Sequence, residues 1–317
     1  MKYSNGFGVN GSKILLGTAY FGDTISFEDS FKIMDTYVEM GGTHIDTARL
    51  YADGESEKVI AKWFESRQPQ GVHISTKGAF PNPNAPDVPR LSEADVRYDL
   101  ELSLKALNTE RIEFYWLHRD DESRPVSEIV DYMNKFVTEG KIARFGASNW
   151  RHGRIDEANR YAAANGLCGF EASQIRFSPA IVSPYGNADR KLVDMNPDSF
   201  SYYAEKKMPV AAYASQAKGF FSKMAEMGED GLSKKSKERY LCGENLRTLE
   251  IIKELSVKYE CSIAAIVCGA LCSLSSPDTF PIIGGSKVSQ IEDSMKGADV
   301  TLTKEELGAI FCDYNIN

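Results

Sequence analysis

Apolar residues along the chain switch repeatedly between two spacings. Phe27, Phe31, Met34 and Val38 fall three or four apart, the stripe of a helix buried on one side. Ser26 stands where an N-cap belongs, with Asp29 three residues on, and Gly41-Gly42 stops the run. The β-branched Thr43-His44-Ile45-Asp46 then reads as a strand, a helical stretch covers about residues 55 to 64, and Val72–Thr76 reads as the next strand. A helix from Ser92 carries Val96, Leu100, Leu104 and Leu107, and another, opening at Pro125, carries Val126, Ile129, Val130, Met133 and Val137. The remaining strand-like runs are Lys13–Leu16, Ile112–Leu117, Ala143–Ala147, Gly169–Ser173, Pro209–Tyr213 and Phe280–Ile283, which brings the total to eight.

Eight strands alternating with helices, with no compositional break to mark a linker, predict an α/β fold: a single (β/α)8 TIM barrel covering residues 1–317 rather than two layered domains. Three segments lack clear periodicity, at about 80–90, 178–197 and 218–241. Each follows a strand, so each is expected on the C-terminal face, where barrel enzymes build their sites. Gly6-Phe7-Gly8-Val9-Asn10-Gly11 spells G-x-G-x-x-G, but no strand precedes it and a strand rather than a helix follows. The segment is expected to form a β-hairpin ahead of the barrel, with Asn10-Gly11 in its turn.

Composition narrows the function. The chain is 42% hydrophobic and 26% charged, which excludes a disordered, collagen-like or coiled-coil protein. A net charge of -8 opposes an extended polyanion, so neither nucleic acid nor an anionic membrane is expected as a partner. No apolar run approaches the roughly 18 residues that span a bilayer, and residues 1–6 lack the apolar run of a signal peptide, so a cytoplasmic location is expected. The six cysteines, Cys168, Cys242, Cys261, Cys268, Cys272 and Cys312, contain no Cys-x-x-Cys and are expected to be buried, reduced thiols. No metal site is expected, and Asn10-Gly11-Ser12 is a chance sequon in a cytosolic chain.

On these strand assignments Asp46, Lys77 and His118 fall at or just past strand ends, with Tyr51 five residues beyond Asp46. Position alone suits surface ion pairs as well as a site. The chemistry favours a site. A phenol with an ordinary pKa of about 10 is a poor acid at neutral pH, a lysine cation beside it favours phenolate, and an aspartate would hold that lysine charged and oriented. A histidine alongside can hydrogen-bond a carbonyl oxygen as charge develops on it. The set has no hydride of its own, so a cofactor is needed.

These residues resemble those of the aldo-keto reductases. Gly42-Thr43-His44-Ile45-Asp46-Thr47-Ala48-Arg49-Leu50-Tyr51, continuing to Gly54-Glu55-Ser56-Glu57, is similar to that family's signature around its aspartate and tyrosine. Ile74–Lys77 resembles its lysine strand, Leu117-His118-Arg119-Asp120 its histidine segment, and Gly140-Lys141 through Gly146-Ala147-Ser148-Asn149 its mid-chain signature. The resemblance implies catalytic Asp46, Tyr51, Lys77 and His118, and NADPH reduction of an aldehyde or ketone, with sugar and aryl carbonyls among the candidates. It also implies a nicotinamide cofactor stretched over the barrel mouth. Ser148, Asn149 and Gln174 match the positions that hold the carboxamide, and Tyr213 the ring that stacks on nicotinamide, although core packing at a strand end would also account for Tyr213. Gly17, Thr18 and Asp46 match first-strand and second-strand contacts, and Ala214, Ser215, Gln216, Lys218 and Gly219 the segment that wraps the pyrophosphate.

Gly285, Ser286, Lys287, Gln290, Asp293 and Ser294 fall where the family holds the adenosine end. A hydroxyl and a cation at a helix N-terminus after the eighth strand suit a dianionic 2'-phosphate, which favours NADP over NAD. Many family members carry arginine in place of Lys287 and asparagine in place of Ser294, and a lysine gives a point charge rather than a fork. The run Lys234, Lys235, Lys237 and Arg239 reads as a solvated, mobile loop in preference to a phosphate patch. Trp63 and Trp116 read as core, while Tyr20, Phe80 and Trp150 follow strand ends and are candidates for a substrate pocket. Two other readings stay open: a nicotinamide-binding barrel without turnover, serving redox sensing or assembly, and a lyase or isomerase using Lys77 as a Schiff-base amine. Neither the particular carbonyl substrate nor the oligomeric state is legible in one sequence.

Overall fold

A computed structural model describes residues 3–4, 6–8, 11–183, 189 and 191–316. Two short antiparallel strands, β1 (Tyr3–Ser4) and β2 (Gly11–Ser12), precede the barrel. Eight parallel strands follow: β3 (Leu15–Gly17), β4 (His44–Asp46), β5 (His73–Gly78), β6 (Ile112–Leu117), β7 (Ile142–Ser148), β8 (Ser173–Arg176), β9 (Val210–Tyr213) and β10 (Thr279–Ile283). They pair in chain order and close when β10 bonds to β3, with Ile282 opposite Leu15. This is the expected TIM barrel with its N-terminal hairpin.

The helices of the outer ring begin with α1 (Phe27–Glu39), α2 (Glu55–Arg67), α3 (Glu93–Leu107), α4 (Val126–Thr138), α5 (His152–Ala164) and α6 (Pro197–Lys206). They continue with α7 (Phe220–Met227), α8 (Lys234–Tyr240), α9 (Gly243–Lys258), α10 (Ile263–Ser273), α11 (Val288–Met295) and α12 (Lys304–Ile310). Ser26 caps α1 by accepting from the Asp29 amide at 3.1 Å, and Ser92 caps α3 by accepting from the Asp95 amide at 3.2 Å. No single helix among the described residues is long and apolar enough to cross a membrane.

Phe7 closes the floor of the barrel. Its ring lies 4.7 Å from Phe280, 5.4 Å from Phe114 and 5.8 Å from Trp116, centroid to centroid, in a cluster with Leu15, Ala172 and Ala211. Gly6 lets the chain reach this position, since a Cβ there would fall 2.0 Å from the Phe280 ring. The glycine pattern thus serves packing. The turn differs from expectation: Gly11 lies in β2, paired with Ser4, and Asn10, which is also the sequon's asparagine, is outside the described residues. The larger cluster, with Trp63, packs the helices onto the outside of the barrel.

Three further expectations need correction. The strand placed at 169–173 runs instead over Ser173–Arg176, because the Glu171 amide still bonds the Phe145 carbonyl but the polar Ser173, Gln174 and Arg176 carry the strand on into the mouth. The segment 218–241 is not a loop. It forms α7 and α8, and the basic run lies on α8, capped by Ser233. Of the six cysteines only Cys268 and Cys272 are buried, while Cys168 and Cys312 are exposed, and all six are free thiols.

Candidate active site

Asp46 ends β4 and stands opposite Ser75 of β5. Alternate strand residues share a face, so Ser75 and Lys77 both reach Asp46 inside the barrel. Lys77 Nζ donates to Asp46 Oδ2 at 2.5 Å and to the Thr47 carbonyl at 2.7 Å. Asp46 Oδ1 accepts from Ser75 Oγ at 2.9 Å and from Gln174 Nε2 at 3.0 Å. Both carboxylate oxygens are therefore occupied, and the buried ion pair is satisfied by hydrogen bonds as such a pair must be.

Tyr51 opens a tight turn, Tyr51–Gly54, in which Ala52 (φ 48°), Asp53 (φ 53°) and Gly54 (φ 89°) are all left-handed. Such strain persists only where the surroundings over-determine it. Here Arg49 does so: its amide bonds the Lys77 carbonyl at 3.0 Å, and its Nη1 bonds the buried Glu57 at 3.0 Å. Glu57 also accepts from Thr76 Oγ1 at 2.7 Å. A Cβ on Gly54 would fall 1.8 Å from Arg49 Nη1, so only glycine fits the turn. As a result Tyr51 stands over Lys77, whose Nζ is 5.0 Å from the ring centroid. The His118 ring meets Tyr51 edge to face at 6.1 Å.

Burial pushes the Tyr51 phenol above its ordinary value, and the Lys77 cation pulls it back only in part. Lys77 thus acts in the expected downward direction, but burial outweighs it, and the phenol keeps its proton. Lys77 is raised, because the Asp46 carboxylate and Tyr51 outweigh the burial that works to lower it. Burial, then the cations Lys77 and Arg119, holds His118 well below the usual histidine range, so its ring is neutral. The cluster can donate one proton, from Tyr51, beside a neutral imidazole able to hydrogen-bond an oxygen.

The cofactor candidates divide into two groups. Ser148 and Gln174 are paired across β7 and β8, and Asn149 follows with a left-handed φ of 60°. Asn149 Oδ1 accepts from the Tyr213 hydroxyl at 2.6 Å and the Val193 amide at 3.2 Å, while its Nδ2 makes only long contacts, 3.2 Å to Ser148 Oγ and 3.5 Å to the His118 carbonyl. An amide donor held loosely beside a serine hydroxyl fits a carboxamide. Gly17 ends β3 opposite Asp46, and Thr18 is fully buried with its hydroxyl and its amide both donated to the Asp46 carbonyl. Ser215 likewise spends its hydroxyl on the Ile282 carbonyl. Ala214 (φ 50°), Lys218 (φ 57°) and Gly219 (φ 76°) fold the chain tightly into α7.

At the other end, Gly285, Ser286, Lys287 and Gln290 lie at the rim, and Ser286 and Lys287 are exposed. Gln290 Oε1 accepts from the Ser286 and Lys287 amides at 2.9 and 3.2 Å, so these amides of the α11 N-terminus are already engaged. Asp293 accepts from Ser262 Oγ, the cap of α10, at 2.7 Å. Ser294 is buried between Gln216 Nε2 at 3.0 Å and the Gln290 carbonyl at 2.7 Å. In this structure these two residues join elements rather than face the rim.

Tyr20 is 56% exposed at the mouth and Phe80 packs on His118 at 4.9 Å, both placed to touch a ligand. Trp150 is not: it has no exposed surface and packs against Phe170 at 4.9 Å, so it belongs to the core. Two features escaped the sequence reading. Arg119 had no assigned role, yet it stacks over Phe80 beside His118. Burial lowers Lys218, and Arg239, Lys235 and Arg176 lower it further, so α8 brings its cations near the segment 214–219. Among the described residues no group of His, Cys, Asp or Glu is arranged to hold a metal ion.

Comparison with known proteins agrees with this geometry. Norsolorinic acid reductase from Aspergillus flavus is 25% identical over 97% of this chain and 79% of its own length. Aryl-alcohol dehydrogenase [NADP(+)] from Phanerodontia chrysosporium is 24% identical over 95% of this chain and 82% of its own. The crystal structure of an aldo-keto reductase from Klebsiella pneumoniae in complex with NADPH superposes with a TM-score of 0.71 at 22% identity, covering 98% of this chain and 94% of that one. The Aldo/keto reductase family model matches residues 13–311. The chain therefore belongs to the aldo/keto reductase family and is an NAD(P)H-dependent enzyme.

Proposed function

We propose that this chain, acting as one domain over residues 1–317, reduces an aldehyde or ketone to the alcohol with NADPH, reversibly, with Tyr51 as general acid. The observation that carries the reading is the Asp46–Lys77–Tyr51 cluster beside a neutral His118. When bound, the nicotinamide supplies the hydride that the carbonyl carbon takes up. His118 positions the carbonyl oxygen, and Tyr51 delivers its proton there as negative charge develops. Lys77, held by Asp46, stabilises the phenolate that remains until solvent restores the proton. A barrel that only binds nucleotide has no use for such a relay.

Ser148, Asn149 and Gln174 would hold the carboxamide, with Tyr213 against the ring. Lys218, with Lys235 and Arg239 near it, suits a pyrophosphate, and exposed Ser286 and Lys287 suit a 2'-phosphate. The relative named as an NADP(+) aryl-alcohol dehydrogenase and the neighbour solved with NADPH support that preference, and the former supports an aryl carbonyl as substrate. The test is a panel of aldehydes, ketones and sugars, with NADPH or NADH loss followed by absorbance. Oxidation of NADPH by at least one carbonyl is expected. A panel inert with both cofactors would remove the reading.

A further inference from the structure

His118 and Arg119 follow one another at the mouth end of β6. Each leaves a buried nitrogen with no hydrogen-bond partner among the described residues, Nδ1 of His118 and Nη1 of Arg119. Arg119 is only 7% exposed. Its Nη2 donates to Asp189 Oδ2 at 2.6 Å, and its guanidinium lies 4.9 Å from the centroid of Phe80, a ring that is itself packed on His118. Stacking and the Asp189 bond fix the plane of the guanidinium and leave Nη1 over. An unpaired buried donor on a charged group is expensive, so an acceptor that reaches it is bound with corresponding gain.

The position decides what that acceptor is. Ser148, Asn149, Gln174 and Tyr213, proposed to hold the nicotinamide, lie at β7 to β9, whereas Tyr51, Phe80, His118 and Arg119 follow β4, β5 and β6. Arg119 therefore lies beside the reacting groups and away from the residues proposed to hold the nicotinamide. The Asp189 carboxylate does not cancel the cation, because its side chain is 44% exposed and largely solvated while that of Arg119 is 9% exposed. The field of Arg119 also reaches the reacting groups, acting to lower both the Tyr51 phenol and His118. A planar, anionic, two-oxygen group complements a guanidinium edge better than any neutral acceptor.

We propose that Arg119 selects carbonyl substrates that carry a carboxylate, binding that group through Nη1 while Tyr51 and His118 engage the carbonyl oxygen. Phe80 and Asp189, the two groups packed against the guanidinium, hold it in place while Nη1 takes the carboxylate. The proposal rests on the reductase reading above and adds a substrate class to it.

The experiment compares 2-, 3- and 4-carboxybenzaldehyde with their methyl esters, using NADPH, in the wild-type enzyme, Arg119→Met and Asp189→Asn. Each acid is scored by its kcat/KM relative to its own ester, which cancels any general loss of activity. In the wild type at least one isomer is expected to show an acid preference of about 10-fold or more, the effect of one charge-assisted contact. Arg119→Met is expected to abolish that preference, chiefly through KM, and Asp189→Asn to keep or increase it by freeing more of the guanidinium. A wild type indifferent to the carboxylate overturns the proposal without any variant, as does a preference that survives Arg119→Met. Loss of the preference in Asp189→Asn also overturns it, assigning Arg119 the role of holding Asp189. Turnover of the esters with no acid preference leaves the reductase reading standing, whereas no turnover of any probe with NADPH or NADH removes both.

Discussion

Lys77 crosses from β5 to bond Asp46 at the end of β4 at 2.5 Å, and this single contact turns a buried cation into a fixed charge under the Tyr51 ring. Removing one partner of a buried pair strands the other, at a cost of about 3 to 5 kcal/mol. Lys77→Met is therefore best made together with Asp46→Asn. Lys77 lowers the Tyr51 phenol against the stronger upward push of burial, so its loss raises that pKa further. Alcohol oxidation requires the phenolate. The rising limb of its pH profile is expected to move to higher pH in the double variant, with a lower rate at every pH. A limb that stays in place at normal rate would take Lys77 out of the mechanism.

Tyr51→Phe removes the proton and little else, since the ring keeps its packing on His118. kcat for reduction is expected to fall by at least about 100-fold, the low end for general acid catalysis, with NADPH affinity nearly unchanged. Steady-state kinetics together with cofactor titration separate the two effects, and retention of most turnover would exclude Tyr51 as the acid.

Two glycine substitutions distinguish a constrained turn from an open position. Gly54→Ala places a methyl where Arg49 lies and forces a left-handed φ of 89° on alanine, so a loss of about 2 kcal/mol or more in stability and a fall in kcat are expected. Gly153, near the start of α5, has nothing within 4 Å of an added Cβ, and Gly153→Ala is expected to gain roughly 0.5 to 1 kcal/mol. Denaturant melts of both variants give the comparison, and equal stabilities would mean the Tyr51–Gly54 turn relaxes freely.

Lys287→Glu tests cofactor choice. Lys287 is proposed to meet the 2'-phosphate that NADPH has and NADH lacks, so NADPH affinity is expected to fall about 10- to 100-fold and NADH affinity far less. Because Lys287 is exposed, high salt is expected to shrink the wild-type preference as well. Titration by tryptophan fluorescence at two ionic strengths measures all four constants. Equal losses for both cofactors would assign Lys287 to the structure of the rim, and a wild type that prefers NADH would overturn the NADP proposal.

The barrel was legible in the sequence because parallel strands buried on both faces read as short apolar runs between amphipathic helices, as at Ile112–Leu117. Reading failed where that signal is weak. Ser173–Arg176 carries polar side chains into the mouth, and α8, Lys-Lys-Ser-Lys-Glu-Arg-Tyr, has no apolar stripe to announce a helix. Asp46, Tyr51, Lys77 and His118 were legible from position and chemistry, but the balance of burial against charge at Tyr51 required the three-dimensional environment. So did Trp150, whose burial depends on Phe170, and Asp293, whose partner Ser262 is 31 residues away. Arg119 stood in view beside His118, yet its spare donor becomes visible only once Phe80 and Asp189 are in place.

Closure of the sheet between Ile282 and Leu15 joins positions near opposite ends of the chain. The candidate residues run from Gly17 on β3 to Ser294 on α11, so neither half of the chain contains a workable portion of them. Contacts of such sequence separation are paid for in loop entropy before they return any energy, which places them among the slow steps of folding. The proposed carbonyl reduction is consequently an all-or-nothing property of the finished barrel, and a chain emerging from the ribosome acquires it only after β10 has been synthesised.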